Sequence, residues 1–200
     1  MSGEVTVEGF IVHTFLQSRP DGSTRLACLG RTTDGRSFAV VIEPFRPHSY
    51  VRASDEAAAT ALLSVSPEPA GLTTIDGEPV ARITANSVAE LRRQADQLQG
   101  AGIRTYEADF APADLFLMDR SVHGSATITG NAVPGRHVDL VFVNPELGSS
   151  EWEPALEVLS VDIETNPETE EILAVSLVSS GTWRETANEV LLVRPPVSDD

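Results

Sequence analysis

The stretch VLSVDIETNP, residues 158–167, reads as an apolar strand that ends in acid. Alternate side chains of a strand share a face. Ser160, Asp162 and Glu164 therefore point one way, and Leu159, Val161 and Ile163 the other. The two carboxylates are two positions apart, roughly 6.6 Å between Cα atoms at the strand rise. At that spacing they repel each other unless a cation sits between them. Both are hard oxygen donors, which suits Mg²⁺ or Mn²⁺. On spacing alone, a strand that simply ends in an acidic turn accounts for the same residues.

Downstream of this stretch, NPET makes a turn, and Ile172 to Val178 and Val190 to Val193 read as two further strands. Three strands alone make a poor domain. The sequence reaches RPPVSDD without a helix to cover them, so a truncated second domain is expected over 154–200. Upstream lies NPELGSSEWEP, residues 144–154, whose prolines, glycine and serines read as a linker. It closes a first domain expected over 1–146.

That first domain opens as a β-meander. Val5 to Leu16, Arg25 to Arg31 and Ser37 to Ile42 read as strands, joined by the turns RPDGS and TTDGRS. Asp34-Gly35 is a strong hairpin signal. Pro44 and Pro47 are expected to end the third strand. Residues 54–64 read as a short helix with Ser54 as N-cap, and 65–71 as a loop. Pro79 to Ala85 is a strand. Ser87 then stands three residues before Glu90, a capping box. Val88, Leu91, Ala95 and Leu98 follow at helical spacing, so one face of that helix is buried. Ile103 to Phe110 reads as a strand, Pro112 as the first position of a helix through Asp119, and 125–130 and 137–143 as strands. The fold class expected is α+β: a mixed β-meander and ferredoxin-like domain, then the first strands of another.

Composition narrows the function. The 200 residues carry 30 acids and 14 bases, a formal net charge of −16. Every base is Arg. An acidic surface adapted to high salt fits this, as does a GC-rich genome that favours Arg codons. Residues 1–100 hold 12 acids and 9 Arg, whereas 101–200 hold 18 acids and 5 Arg. Within Arg19 to Arg52 there are six Arg and three acids, the one basic region. Apolar runs reach only about five residues, far short of the roughly 20 of a membrane span, and no secretory leader opens the sequence. Cys28 is the sole cysteine, which excludes an internal disulfide framework and a Cys-rich zinc site. His13, His48, His123 and His137 are scattered without ligand spacing. Cys28 reads as a small core residue, and Trp152 and Trp183 as packing.

SVDIET followed by ILAVSLV resembles the first exonuclease motif of family B DNA polymerases. The resemblance extends upstream. GFIVHTFLQSRPDGSTRLACLGRTTDGRSFAVVIEPFRPHSYV (9–51) is similar to the amino-terminal strands of that family. GIRTYEADFAPADLFLMDRSVHGSATITG (102–130) is similar to the segment before its exonuclease domain, with YEADF and LFLMDR the most specific part. Within the family the sequence looks nearest to the bacterial DNA polymerase II branch.

The resemblance implies that residues 154–200 begin a ribonuclease H-like 3′→5′ exonuclease domain, with Asp162 and Glu164 as metal ligands. It implies Mg²⁺ or Mn²⁺ in the intact enzyme, template-primer DNA and deoxynucleotides as partners, no membrane, and a cytoplasmic, nucleoid-associated location. The family takes further carboxylates from the later motifs Asn-x-x-x-Phe-Asp and Tyr-x-x-x-Asp, which do not occur here, so the fragment alone is expected to be inactive. Some members hold a template-uracil pocket at the end of the third strand, with an aromatic after the first proline. This chain has His48 there, which argues against uracil reading. Arg46, Pro47, His48, Tyr50 and Arg52 are the candidate template contacts, through phosphates for Arg and stacking for Tyr50 and Phe45. The alternative is a stand-alone, non-catalytic nucleic-acid binding module.

Overall fold

The structure, a computed structural model, describes residues 3–181 and 188–193. Their strands and helices, in chain order, are β1 (Glu4–Ser18), β2 (Thr24–Thr32), β3 (Ser37–Phe45), β4 (His48–Arg52), α1 (Glu56–Leu63), β5 (Glu68–Thr73), β6 (Pro79–Thr84), α2 (Val88–Gly100), β7 (Thr105–Tyr106), α3 (Pro112–Met118), β8 (Ser125–Val133), β9 (Leu140–Val143), β10 (Glu146–Ser149), β11 (Val158–Thr165), β12 (Ile172–Ser180) and β13 (Asn188–Leu192). The chain divides into two compact units, Met1–Trp152 and Glu153–Asp200.

The first unit holds two sheets. In one, the strand order is β1-β2-β3-β9-β8, and β8 pairs back onto β1, which closes the ring. β1 is long enough to serve two partners: residues 4–10 pair with β8 and 9–18 with β2. Every pair is antiparallel except β3 with β9. Asn144 extends that parallel ladder with its side chain, accepting from Glu43 N and donating to Glu43 O, each at 2.8 Å. β10 adds to the outside of β8. Phe38, Val40, Ile128 and Phe142 fill the interior, and α3 plugs one end with Ala113 and Phe116. The interior is tight: a Cβ on Gly30 would meet Phe10 O at 2.1 Å and Phe38 Cζ at 2.4 Å.

The other sheet has the order β5-β6-β4-β7, antiparallel throughout. Its elements follow one another as β4-α1-β5-β6-α2-β7. Ser49 and Val51 alternate with His48, Tyr50 and Arg52 along β4. The Val51 face joins Ala81, Ile83, Ala59 and Leu98 in a second core under α1 and α2. Burying Leu98 alone contributes about 2 kcal/mol. α2 starts where the capping box places it: Ser87 Oγ accepts from Glu90 N at 3.2 Å, and Glu90 Oε2 accepts from Asn86 N at 2.8 Å. Ala101 caps its end and Gly102, at φ +79°, turns the chain away.

Residues 79–143 divide between two sheets: β6, α2 and β7 belong to the four-stranded sheet, and α3, β8 and β9 to the barrel. Several expectations change. The loop at 65–71 contains the start of β5, an edge strand, where Pro69 costs no central ladder bond. Residues 144–154 contain β10 for the same reason, and Trp152, half-buried, accepts from the Ser125 hydroxyl. The third strand runs through Pro44 to Phe45, and a new strand, β4, starts directly after Pro47. Only Thr105–Tyr106 pairs within 103–110, because Glu107 at φ +58° turns the chain. Asp55, not Ser54, precedes α1, and no side chain caps it.

In the second unit β11, β12 and β13 form an antiparallel sheet in that order. Trp183 lies outside the described residues.

Candidate functional site

β4 carries His48, Tyr50 and Arg52 on the sheet face away from α1 and α2. The register sets Tyr50 opposite Arg82 on β6 and opposite Tyr106 on β7. Arg82 donates to the Tyr50 hydroxyl at 3.2 Å, and its guanidinium lies 5.6 Å from the ring centre. His48 Nε2 lies 3.1 Å from the same hydroxyl and 3.3 Å from Asp119 Oδ2. Arg82 also reaches Asp119, at 3.6 Å. Asp119 follows α3, so four side chains from the sheet and the barrel plug meet at one point.

Burial dominates the electrostatics here. It lowers the pKa of His48, against the pull of Asp119, and raises that of Tyr50, against its hydrogen bond from Arg82. It raises the carboxyl pKa of Glu107, with Asp119 adding to the effect. Burial also lowers the pKa of Arg120. That guanidinium stacks 3.7 Å from the Phe116 ring centre and donates to Phe116 O at 3.0 Å. A cavity of about 190 Å³ opens among these groups, with Arg46, Arg82, Arg120, His48 and Asp119 in its wall.

The five residues read as template contacts are placed unequally. Pro47, His48 and Tyr50 are buried, so none of them offers a free ring face to solvent. Phe45 is buried too, edge-on to Phe116. Arg46 is exposed. Arg52 donates to the Tyr106 hydroxyl at 3.0 Å and pairs with Glu78 at 2.8 Å. The basic region is largely neutralised: Glu43 takes Arg19 and Arg25, and Asp34 takes Arg36. Sequence reasoning found His48 and Tyr50 but missed Arg82, Asp119 and Arg120. The last two were in view within LFLMDR, but nothing in their spacing shows that α3 delivers them to β4.

Asp162 and Glu164 stand on β11 and are exposed. They share a sheet face, opposite Ser176 and Ala174 of β12. Among the described residues no three of His, Cys, Asp and Glu gather to hold a metal. Two carboxylates on one face do fit Mg²⁺, which keeps several waters and takes one or two carboxylates plus substrate phosphates.

No protein-family model matches this chain, and no curated protein does. A solved structure does. It is the family B DNA polymerase from the hyperthermophilic archaeon Pyrobaculum calidifontis, matched with a TM-score of 0.63 at 20% sequence identity. The chain shares its fold with part of that polymerase. The match takes in 94% of this chain and 27% of the polymerase chain. It therefore embraces both compact units described above. No described helix is long and apolar enough to cross a membrane.

Proposed function

We propose that this chain is the amino-terminal region of a family B DNA polymerase, of the bacterial DNA polymerase II branch, followed by the start of its 3′→5′ exonuclease domain. The observation that carries the reading is the fold match across 94% of the chain. The SVDIET motif supports it independently, because it falls on a strand followed by an antiparallel partner. The intact enzyme would act on template-primer DNA with deoxynucleotides, in the cytoplasm at the nucleoid.

The order β4-α1-β5-β6-α2-β7 is the ferredoxin-like arrangement. The closed barrel with one parallel pair is a Greek-key barrel of the oligonucleotide-binding class. The three strands β11 to β13 are the opening of a ribonuclease H-like sheet. In that domain Asp162 and Glu164 would hold Mg²⁺ or Mn²⁺, which would activate water and stabilise the leaving oxygen of a phosphodiester. This chain's contribution is to fix the two carboxylates on one face of a strand. Two ligands do not complete such a site, so the 200-residue chain alone degrades no DNA.

The test uses the full reading frame that contains this sequence. Its product extends a primed template and removes mismatched 3′ ends. Asp162→Ala abolishes the removal and spares extension. A full-length product without primer extension overturns the polymerase reading. Metal-dependent degradation of single-stranded DNA by the 200-residue chain, lost in Asp162→Ala, overturns the claim that this piece is inactive.

A second reading is a non-catalytic nucleic-acid binding module, and the topology of the first unit favours it, since both sheet classes bind single strands. Under it the reading frame supplies no palm, and salt-dependent binding to single-stranded DNA is the sole activity.

A further inference from the structure

The cavity between the barrel plug and the four-stranded sheet gathers basic side chains. In a chain of net charge −16, its wall carries three guanidinium groups, Arg46, Arg82 and Arg120, against one carboxylate, Asp119. Asp119 is shared by Arg82 and His48. Arg46 has no ion pair among the described residues, in contrast with Arg19, Arg25, Arg36 and Arg52, each of which has a carboxylate partner. The Nε of Arg82 is buried with no hydrogen-bond partner. An unpaired buried donor on a charged group is costly, and like charges at close quarters add to that cost. Glu107, a second carboxylate that acts on Arg82, is not part of the cavity wall.

We infer that this cavity is an oxyanion site that takes a phosphate group, held by Arg82, Arg120 and Arg46. The volume of about 190 Å³ admits a phosphate with water. Arg82 is held in place by the Tyr50 hydroxyl, and Arg120 by Phe116 through its ring and carbonyl. Neither guanidinium needs to be ordered when the anion arrives, which favours binding. Guanidinium matches phosphate with paired, charge-assisted hydrogen bonds. The inference stands on the cavity alone. Only its extension to a backbone phosphate of a single strand rests on the function proposed above.

The test follows the arginine Nε–Hε resonances of the 200-residue chain by NMR during titration with inorganic phosphate, against chloride at matched ionic strength. Expected is a saturable shift of Arg82 and Arg120 with phosphate and none with chloride. Arg82→Gln weakens binding about tenfold, the loss of one charge-assisted hydrogen bond. Because Arg82 also braces Tyr50, Arg46→Gln is the companion variant. It alters an exposed, unpaired side chain and is expected to weaken binding while leaving the spectrum of the fold intact. No saturable shift, an equal shift with chloride, or affinity unchanged in both variants overturns the site. A second titration uses a short single-stranded oligonucleotide without terminal phosphates. If it moves the same resonances and inorganic phosphate competes, the source is a strand phosphodiester. If only inorganic phosphate moves them, the site takes a free phosphate or a monoester. Oligonucleotide binding that leaves Arg82 and Arg120 unmoved, with no response to phosphate, overturns this site and leaves the nucleic-acid reading standing.

Discussion

His48 Nε2 lies 3.3 Å from Asp119 Oδ2, and that contact ties β4 of the four-stranded sheet to the chain just after the barrel plug. Burial outweighs the attraction of Asp119, and Arg82 and Arg120 act in the same direction as burial, so the imidazole's pKa lies below its ordinary 6.5. The unfolded chain takes up a proton here at a pH where the folded chain does not. The stabilisation is complete above about 6.5 and is lost as pH falls from there through the folded value. Glu107 contributes with the opposite sign: its raised carboxyl pKa makes stability fall as pH rises from 4.5 through the folded value. Comparing parent and variant isolates His48. Urea melts at about pH 7.5 and about pH 5.5 are expected to show a loss on acidification that His48→Gln reduces. An identical loss in the variant would place the acid sensitivity elsewhere.

Gly30 allows β2 to pass under Phe10 and Phe38. A methyl group there would meet Phe10 O at 2.1 Å and the Phe38 ring at 2.4 Å. The carbonyl is backbone and already committed to the β1–β2 ladder, so relief requires the two strands to part. Overpacking of this kind costs about 1–3 kcal/mol or more. Gly30→Ala is therefore expected to lower the melting temperature by roughly 5 °C or more, on the scale for a domain of this size. Gly3→Ala, with nothing within 4 Å of its Cβ, is the control and leaves it unchanged.

How far the fold could be read depended on whether the signal was local. The capping box at Ser87 and Glu90, the Asp34-Gly35 hairpin and Pro112 at the head of α3 are each written within a few residues, and each stands where expected. β5 and β10 were read as loops because proline and glycine mark loops in a sequence and edge strands in a sheet. The partition of 79–143 between two sheets depends on β8 returning to β1, a pairing of Glu4 with Asn131 that no local pattern announces. The cavity was half legible for the same reason. His48 and Tyr50 share a strand, but Arg82 enters by cross-strand register and Asp119 by tertiary packing. The carboxylate pair was legible in full as a pair, because two positions on one strand determine it.

Cys28 is fully buried inside the barrel, and burial raises its thiol pKa to about 11 from an ordinary 9.0. The thiolate is the reactive form, and its fraction near neutrality falls about a hundredfold for a shift of that size. Together with the closed packing, this makes the native thiol inert. Ellman's reagent at about pH 8 is expected to label the chain only after denaturant unfolds it, at the rate of a free cysteine. Rapid labelling of the native chain would mean that the barrel opens locally at β2, far below the global unfolding energy.

The second unit exposes apolar side chains on both faces of its sheet. Leu159, Val161 and Ile163 on β11 and Leu191 on β13 share one face, and Val178, Val190 and Leu192 lie on the other, each more than two-fifths exposed. Contiguous apolar surface of this kind drives association. Among the described residues β11 and β13 are the edge strands of this sheet, a second route to the same end. Sedimentation velocity is therefore expected to show concentration-dependent assembly of the 200-residue chain. Val161→Lys with Ile163→Lys places charge on the fuller apolar face and suppresses it, while the spectrum of Met1–Trp152 stays unchanged. Under the function proposed above, the remainder of the exonuclease domain would cover this sheet, so the full-length product does not assemble. A monodisperse 200-residue chain at about millimolar concentration would mean that single exposed side chains, not a joined patch, describe this surface.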